Sequence, residues 1–584
     1  MVLSGAGSAT QLATAAPQFA GGVVAVRADK SERKDLLRRF QDLKARFEAE
    51  AQKIPLEREE AIKGLAELRL DAANKILFDA VEHPKEDYVC KEVIVRALGA
   101  NASASVVGFL LDKGFAALKD RSWPVIGESL SNLTDEKARD FLLRHAWKSI
   151  PTLDPKAQLI VVKILHATKD ERAGKAAIEL LGNTSCPPAT QAKLVDLVRP
   201  FKLPEAIKKL VRVFKIEDSE VQVAVLLALR DLEATDQSKL FLGALESQSW
   251  QVRATALDIL GGTHDSGLVG EIVPLIDDPS LQVKIAAVKA LRDIGGDDVM
   301  DPLIAALGKA SDRVQDDLLD ALMFLTGQNA GVDAVSWKSW WDENRGKTTI
   351  AGISREEYEK LLANESKGST SVYYGLRVIS KRICFIVDAS GSMGEPYDVP
   401  ETEKDRDGEN GKGGTAVPKG DGGDGTDNAG KKKKTKTVKR MKIEVARKEL
   451  TGVINGLAKG TQINIIPFSG MPSPWQAQLV ALTDEVLAQA LEFVQRLAPG
   501  GTTNVYDSLV LAIEDPQVDT IYFLSDGAPT AGTYQDAESI LKNIAALNAL
   551  RKVKIHTIGF HLDEPSTLLM QKIAEQNYGT FVSM

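Results

Sequence analysis

The sequence predicts an all-α array of paired helices followed by an α/β domain of the doubly wound type. Three observations carry this reading. A nine-residue apolar pattern returns every 31 residues in the middle of the chain. After residue 381, short apolar runs alternate with helical stretches. Three of the segments that follow or precede those elements are rich in hydroxyl and carboxylate groups. With 584 residues the chain exceeds what one hydrophobic core organises, so more than one domain is expected.

The first thirty residues are rich in Ala, Gly and Ser, and residues 21–28 (GGVVAVRA) run into the charged pair Asp29-Lys30. Two readings of 1–30 stand: the remnant of a signal peptide, which would lack a basic start, and an N-terminus without fixed structure. From 31 to 346 the pattern is helical. It opens with Leu36, Phe40, Leu43 and Phe47, spaced four, three and four, which is one apolar stripe on a helix.

The repeat is clearest in residues 221–229 (VQVAVLLAL), 252–260 (VRATALDIL), 283–291 (VKIAAVKAL) and 314–322 (VQDDLLDAL). Second apolar helices lie between these copies, at 270–276 (GEIVPLI) and 300–307 (MDPLIAAL), with turn residues such as 277–280 (DDPS). A helix pair of this length cannot bury its apolar face alone, and stacking pairs builds a continuous core. The pattern resembles HEAT repeats over about 202–327, and 157–165 (AQLIVVKIL) reads as a degenerate earlier copy. Trp337, Trp340 and Trp341 at helical spacing are expected to cap the last repeat. Residues 347–380 read as a linker with a short helix near 354–362.

Residues 383–387 (ICFIV) form a continuous apolar run, as a strand buried on both faces requires. Further strands are expected at 462–466, 477–481, 520–524, 554–558 and 580–583. Helices are expected at 441–457, 484–497, 505–513, 535–550 and 566–576. Such alternation predicts a sheet with helices on both faces, and ligands of such folds bind at the carboxyl ends of strands. Three oxygen-bearing segments fall there: Asp388-x-Ser390-x-Ser392, residues 500–504 (GGTTN), and Ser525-Asp526-Gly527. Taken singly each reads as a turn or a helix cap. Taken together they suit magnesium, manganese or calcium, since hydroxyls and carboxylates are hard ligands and neither His nor Cys is among them.

This assembly resembles the metal-ion-dependent adhesion site of von Willebrand factor A domains, written D-x-S-x-S, then T, then D. The matching positions are Asp388, Ser390 and Ser392, then Thr503 in preference to Thr502, then Asp526. The resemblance implies a Rossmann-like α/β domain over 381–584, interrupted by an insertion. It further implies that Ser390, Ser392 and Thr503 bind the metal directly and that Asp388 and Asp526 hold it largely through water. An Asp or Glu of a partner protein would then complete the shell.

The insertion, 394–440, is acidic first (DRDGE, DGGDG) and basic last (KKKK), with the composition of a segment without fixed structure. Three readings of it stand: an internal carboxylate reaching the ion, lysines steering an acidic partner, and a tolerated solvated loop.

The formal net charge of −8 argues against nucleic acid as the main partner. No apolar run is long enough to span a bilayer. Cys90, Cys186 and Cys384 show neither metal spacing nor a disulfide framework, which fits a reducing compartment and favours the cytoplasm, with export or a periplasmic location left open by the N-terminus. The six histidines show no catalytic grouping, no catalytic residue is expected, and the first reading is a binding or scaffold protein rather than an enzyme. In it the C-terminal domain captures a carboxylate and the helical repeats give a second docking surface. Two alternatives are an RNA-binding ring, because repeats followed by such a domain are similar in order to Ro-type autoantigen proteins, and a metal-dependent hydrolase. Against the first stands the lack of a basic stripe over the repeats.

Overall fold

The structure is a computed structural model that describes residues 30–49, 55–365, 372–400 and 437–584. The reading of 1–29 as a signal remnant or unstructured segment lies outside these residues, as does the middle of the insertion. The chain divides into two compact units, 1–239 and 240–584.

The described residues of the first unit are helical. They run from the helix Lys30–Ala49 to the helix Ser219–Asp231, which packs on Pro188–Val198. Aspartates at the N-cap open many of these helices. Asp87, Asp135, Asp154, Asp170 and Asp218 each accept a main-chain N–H of the first turn, which satisfies donors that have no partner inside the helix. In the first helix Leu43 and Phe47, members of the predicted stripe, are buried.

In the second unit the helices Trp250–Gly261, Leu281–Ile294 and Asp312–Thr326 carry three of the repeat copies and stack in succession. Their valines Val252 and Val283 are fully buried. The approach is close enough at one point to require glycine: a Cβ on Gly261 would stand 2.6 Å from Ala290 Cα. Of the second helices, Met300–Leu307 forms as expected, whereas the earlier one is a short helix, Val269–Ile272, followed by a 3-10 segment, Val273–Asp277. Pro274 removes a donor there and breaks the α-helical ladder. Trp337 and Trp341, on the helix Ala334–Asn344, are buried against Met300–Leu307.

The described residues of the α/β part form ten short strands: β1 Val372–Tyr373, β2 Leu376–Arg377, β3 Arg382–Asp388, β4 Pro396–Pro400, β5 Thr437–Met441, β6 Gln462–Phe468, β7 Val480–Ala481, β8 Thr520–Ser525, β9 Lys554–Gly559 and β10 Phe581–Ser583. Six of them form one sheet in the order β10-β9-β8-β3-β6-β7, parallel except for β7. Alternation along β3 sends Ile383, Phe385 and Val387 to one core, with the helices Lys442–Gly456 and Asp484–Gln495. Cys384 and Ile386 go to the other, with Val505–Glu514, Ala537–Arg551 and Glu564–Gln576. This is the doubly wound arrangement predicted.

Three expectations are corrected. The strand expected at 477–481 shrinks to β7 and runs antiparallel to β6, because the preceding loop folds back and gives the Trp475 N–H to Ile465 O at 2.8 Å. Residues 347–380 are not only a linker: beyond the helix Arg355–Glu365, the hairpin β1–β2 places Tyr373, Tyr374 and Leu376 in the first core. The described ends of the 394–440 insertion, expected to lack fixed structure, pair as an antiparallel ribbon, β4 with β5.

The helix Asp312–Thr326 and the amino ends of β8 and β9 interlock through charge. Arg313 Nη1 donates to Asp519 O at 2.6 Å and to Lys552 O at 3.2 Å. In return Lys554 Nζ donates to Asp320 at 2.7 Å and pairs with Asp317 at 2.9 Å and Asp316 at 2.5 Å. Lys552 Nζ reaches Asp258 at 2.6 Å, and Arg377 Nη2 reaches Asp320 at 2.6 Å. Arg313, Lys552 and Lys554 are all buried, which is tolerable only because each is paired.

Candidate metal centre

The parallel register sets the site. β3 lies between β6 and β8, with Asp388 level with Phe468 and Val387 level with Leu524, so Asp388 and the Ser525-Asp526 pair emerge side by side at the carboxyl edge. Asp388 is fully buried. Its Oδ1 accepts the Ser390 N–H at 2.8 Å, and its Oδ2 accepts the Ser525 hydroxyl at 2.6 Å. Burial pushes this carboxyl up from its ordinary range, against those two hydrogen bonds.

From Asp388 a chain of short contacts runs outward. Ser390 Oγ and Ser392 Oγ are 3.0 Å apart, and Ser392 Oγ donates to Asp526 Oδ1 at 2.7 Å. Four of the five predicted residues thus converge. The 3-10 turn Gly391–Gly394 after Ser390 aims both serines to the same side.

The loop carrying Thr503 is pinned to this turn by main-chain bonds, Gly500 N–H to Ala389 O at 2.8 Å and Gly391 N–H to Gly501 O at 3.1 Å. Gly501 has φ +82°, a conformation that side chains rarely adopt. Thr503 is buried, while Thr502 is exposed with its hydroxyl toward Gly470. Thr503 stands outside the chain of side-chain hydrogen bonds. Its backbone is held instead: its N–H donates to Thr530 Oγ1 at 2.9 Å, and its oxygen accepts from Thr530 and Ala531 at 2.9 and 3.1 Å. Asn504 then caps the helix Val505–Glu514.

Sequence reasoning named Ser525 only as part of an oxygen-bearing segment, and it missed two residues here: Glu395 and above all Lys442. Lys442 is buried, and its Nζ donates to Asp526 Oδ2 at 2.8 Å and to Glu395 Oε2 at 3.1 Å. The insertion hid it, because Lys442 follows the D-x-S-x-S segment only after residues 394–440. The β4–β5 ribbon, with Pro396 opposite Met441, brings it back. The available signal was a lysine directly preceding the buried Ile443 at the start of a core helix.

Asp388, Ser390, Ser392 and Asp526 therefore bring two carboxylates and two hydroxyls together, with the Lys442 ammonium against them. Among the described residues, Asp316, Asp317 and Asp320 also bring carboxylates within 4.8 Å of one another, but Lys554 already pairs with all three.

Comparison with known proteins agrees with this architecture. Residues 238–323 match the family described as HEAT repeats, and residues 436–582 match the von Willebrand factor type A domain. The chain thus carries HEAT repeats and a von Willebrand factor type A domain. The second match contains Thr503 and Asp526 and begins after Asp388, Ser390 and Ser392. Similar relatives include inter alpha-trypsin inhibitor heavy chain 4 of Mus musculus, 29% identical over 152 residues, covering 24% of this chain and 16% of that protein. Another is von Willebrand factor A domain-containing protein 3B of Homo sapiens, 24% identical over 144 residues, covering 24% of this chain and 11% of that protein. The chain therefore spans a small part of the length of these relatives. Among solved structures, a von Willebrand factor type A protein from Catenulispora acidiphila is 17% identical, with a TM-score of 0.25, covering 35% of this chain and 39% of that one. Kap121p bound to Pho4p is 14% identical, with a TM-score of 0.36, covering 53% of this chain and 39% of that one.

Proposed function

We propose that this protein is a metal-dependent protein-binding or scaffold protein, whose C-terminal domain captures an Asp or Glu side chain of a partner through one Mg2+, Mn2+ or Ca2+ ion. The observation that carries the reading is the hydrogen-bonded convergence of Asp388, Ser390, Ser392 and Asp526 at the carboxyl edge of the sheet. The donor set fits such an ion, since it consists of carboxylate and hydroxyl oxygens and its two carboxylates exceed the one nearby ammonium in charge. Thr503, the buried one of the two threonines, is the fifth member. The bound ion would supply positive charge and an open coordination position for an incoming carboxylate. The protein residues orient the oxygens and exclude competing ligands.

The von Willebrand factor type A match supports a role in protein interaction. The helical repeats supply a second, extended surface for docking, as stacked repeats do. No catalysis is included in this reading, and no described helix is long and apolar enough to cross a membrane. The test is calorimetric titration of the intact protein with each of the three ions, beside Asp388→Ala. Partner capture is then repeated with and without chelator. The reading requires partners that are lost both on chelation and in the variant. Partners retained in both would refute it.

A further inference from the structure

We infer that Lys442 is a built-in rival for the metal, an internal cation seated on Asp526 that a divalent ion must displace to bind. The inference rests on the metal reading above. Both oxygens of the Asp526 carboxylate are engaged: Oδ1 by the Ser392 hydroxyl at 2.7 Å and Oδ2 by the Lys442 ammonium at 2.8 Å. The side chain of Asp526 is 0% exposed and that of Lys442 is 9% exposed, so water does little to screen the pair.

A divalent ion and an ammonium repel each other when they share one buried carboxylate. Metal uptake therefore includes the work of moving Lys442. The structure supplies a destination. Glu395 Oε2 is already 3.1 Å from the ammonium, and the Glu395 side chain is 65% exposed, so the lysine can shift outward and keep an anionic partner. The shift needs no change of backbone, because Lys442 N–H is fixed to Glu395 O at 3.1 Å and the ribbon β4–β5 holds the two residues together.

Two consequences follow. Without metal, the ammonium compensates the buried carboxylate and the site keeps its shape. With metal, affinity is set by competition with Lys442, so the position of this side chain sets how much free ion the domain needs before it can bind a partner. Removing the charge should tighten metal binding. Keeping the charge should not.

The experiment is calorimetric titration of the full chain with MnCl2 and with MgCl2, for the wild type and for Lys442→Met, Lys442→Gln and Lys442→Arg. Thermal melting in chelator reports the fold of each. The two neutral variants should bind about tenfold tighter or more, from the loss of one charge near the ion, and Lys442→Arg should not bind tighter. If the wild type takes up metal and the folded neutral variants bind it no tighter, the inference is overturned while the metal reading stands. If no form takes up metal, both are overturned.

Discussion

Arg313 of the last helical repeat donates to the main-chain oxygen of Asp519, 206 residues away, at 2.6 Å, and caps the strand that leads to Asp526. A second cation, Lys554, runs in the opposite direction into Asp316, Asp317 and Asp320. The final repeats and the α/β domain therefore share one buried ionic seam, placed at the edge of the sheet opposite to the candidate metal centre.

The seam should be costly to break from either side. Lys554→Met leaves three carboxylates without their common partner, and a buried pair broken on one side loses about 3–5 kcal/mol. Urea unfolding of the full chain reads the loss directly. A loss below about 0.5 kcal/mol, the level of an ordinary surface substitution, would show that the seam contributes nothing.

Alkaline stability should follow from the same groups. Burial works against the charged forms of Lys552 and Lys554, but Tyr578 and Asp258 around the first and Asp316, Asp317 and Asp320 around the second outweigh it and hold both amines above the ordinary lysine range. A raised folded value means that stability is fully present below the unfolded value, about 10.4, and is lost as pH rises through the folded values. Burial also raises Tyr373 and Tyr522, whose unfolded forms ionise near about pH 10, so their contribution has the same sign. The urea midpoint should fall steadily from about pH 9.5 to 11 in the wild type. In Lys554→Met the slope should be shallower, and an equal slope would show that Lys554 does not contribute to the alkaline loss.

Gly261→Ala should destabilise the repeats although alanine is the better helix former. The added Cβ would stand 2.6 Å from Ala290 Cα, so the stacked helices must separate. Overpacking of this kind costs about 1–3 kcal/mol. Thermal melting checks it, and an unchanged or higher melting temperature would contradict the close approach.

The two threonines of the 500–504 loop should part company. Thr503→Ala removes a proposed metal ligand and should weaken Mn2+ uptake by about tenfold or more, since loss of even an outer-shell partner of a metal site costs that much. Thr502→Ala, whose hydroxyl faces Gly470, should leave uptake unchanged. Paired titrations decide, and the opposite ranking would reassign the ligand.

Much of this fold was readable in local patterns. The spacing of Val252, Val283 and Val314 marks helices that stack, and apolar runs such as 383–387 mark strands buried on both faces. The convergence of Asp388, Ser390, Ser392 and Asp526 was readable too, because strand ends in a parallel sheet meet by topology. What escaped depends on distant partners. Lys554 opens an apolar strand, and its burial is decided by Asp316, 238 residues away. The hairpin β1–β2 has only two residues in each strand, too few for any periodicity. Lys442 was separated from its site by the insertion, and only the ribbon pairing shows where it goes.

Direct titration tests most simply whether five oxygen-bearing side chains hold one divalent ion. The intact wild-type protein should take up one Mg2+, Mn2+ or Ca2+ ion per chain, and folded Asp388→Ala should take up none. Absence of uptake in the wild type, or equal uptake in the variant, would contradict it.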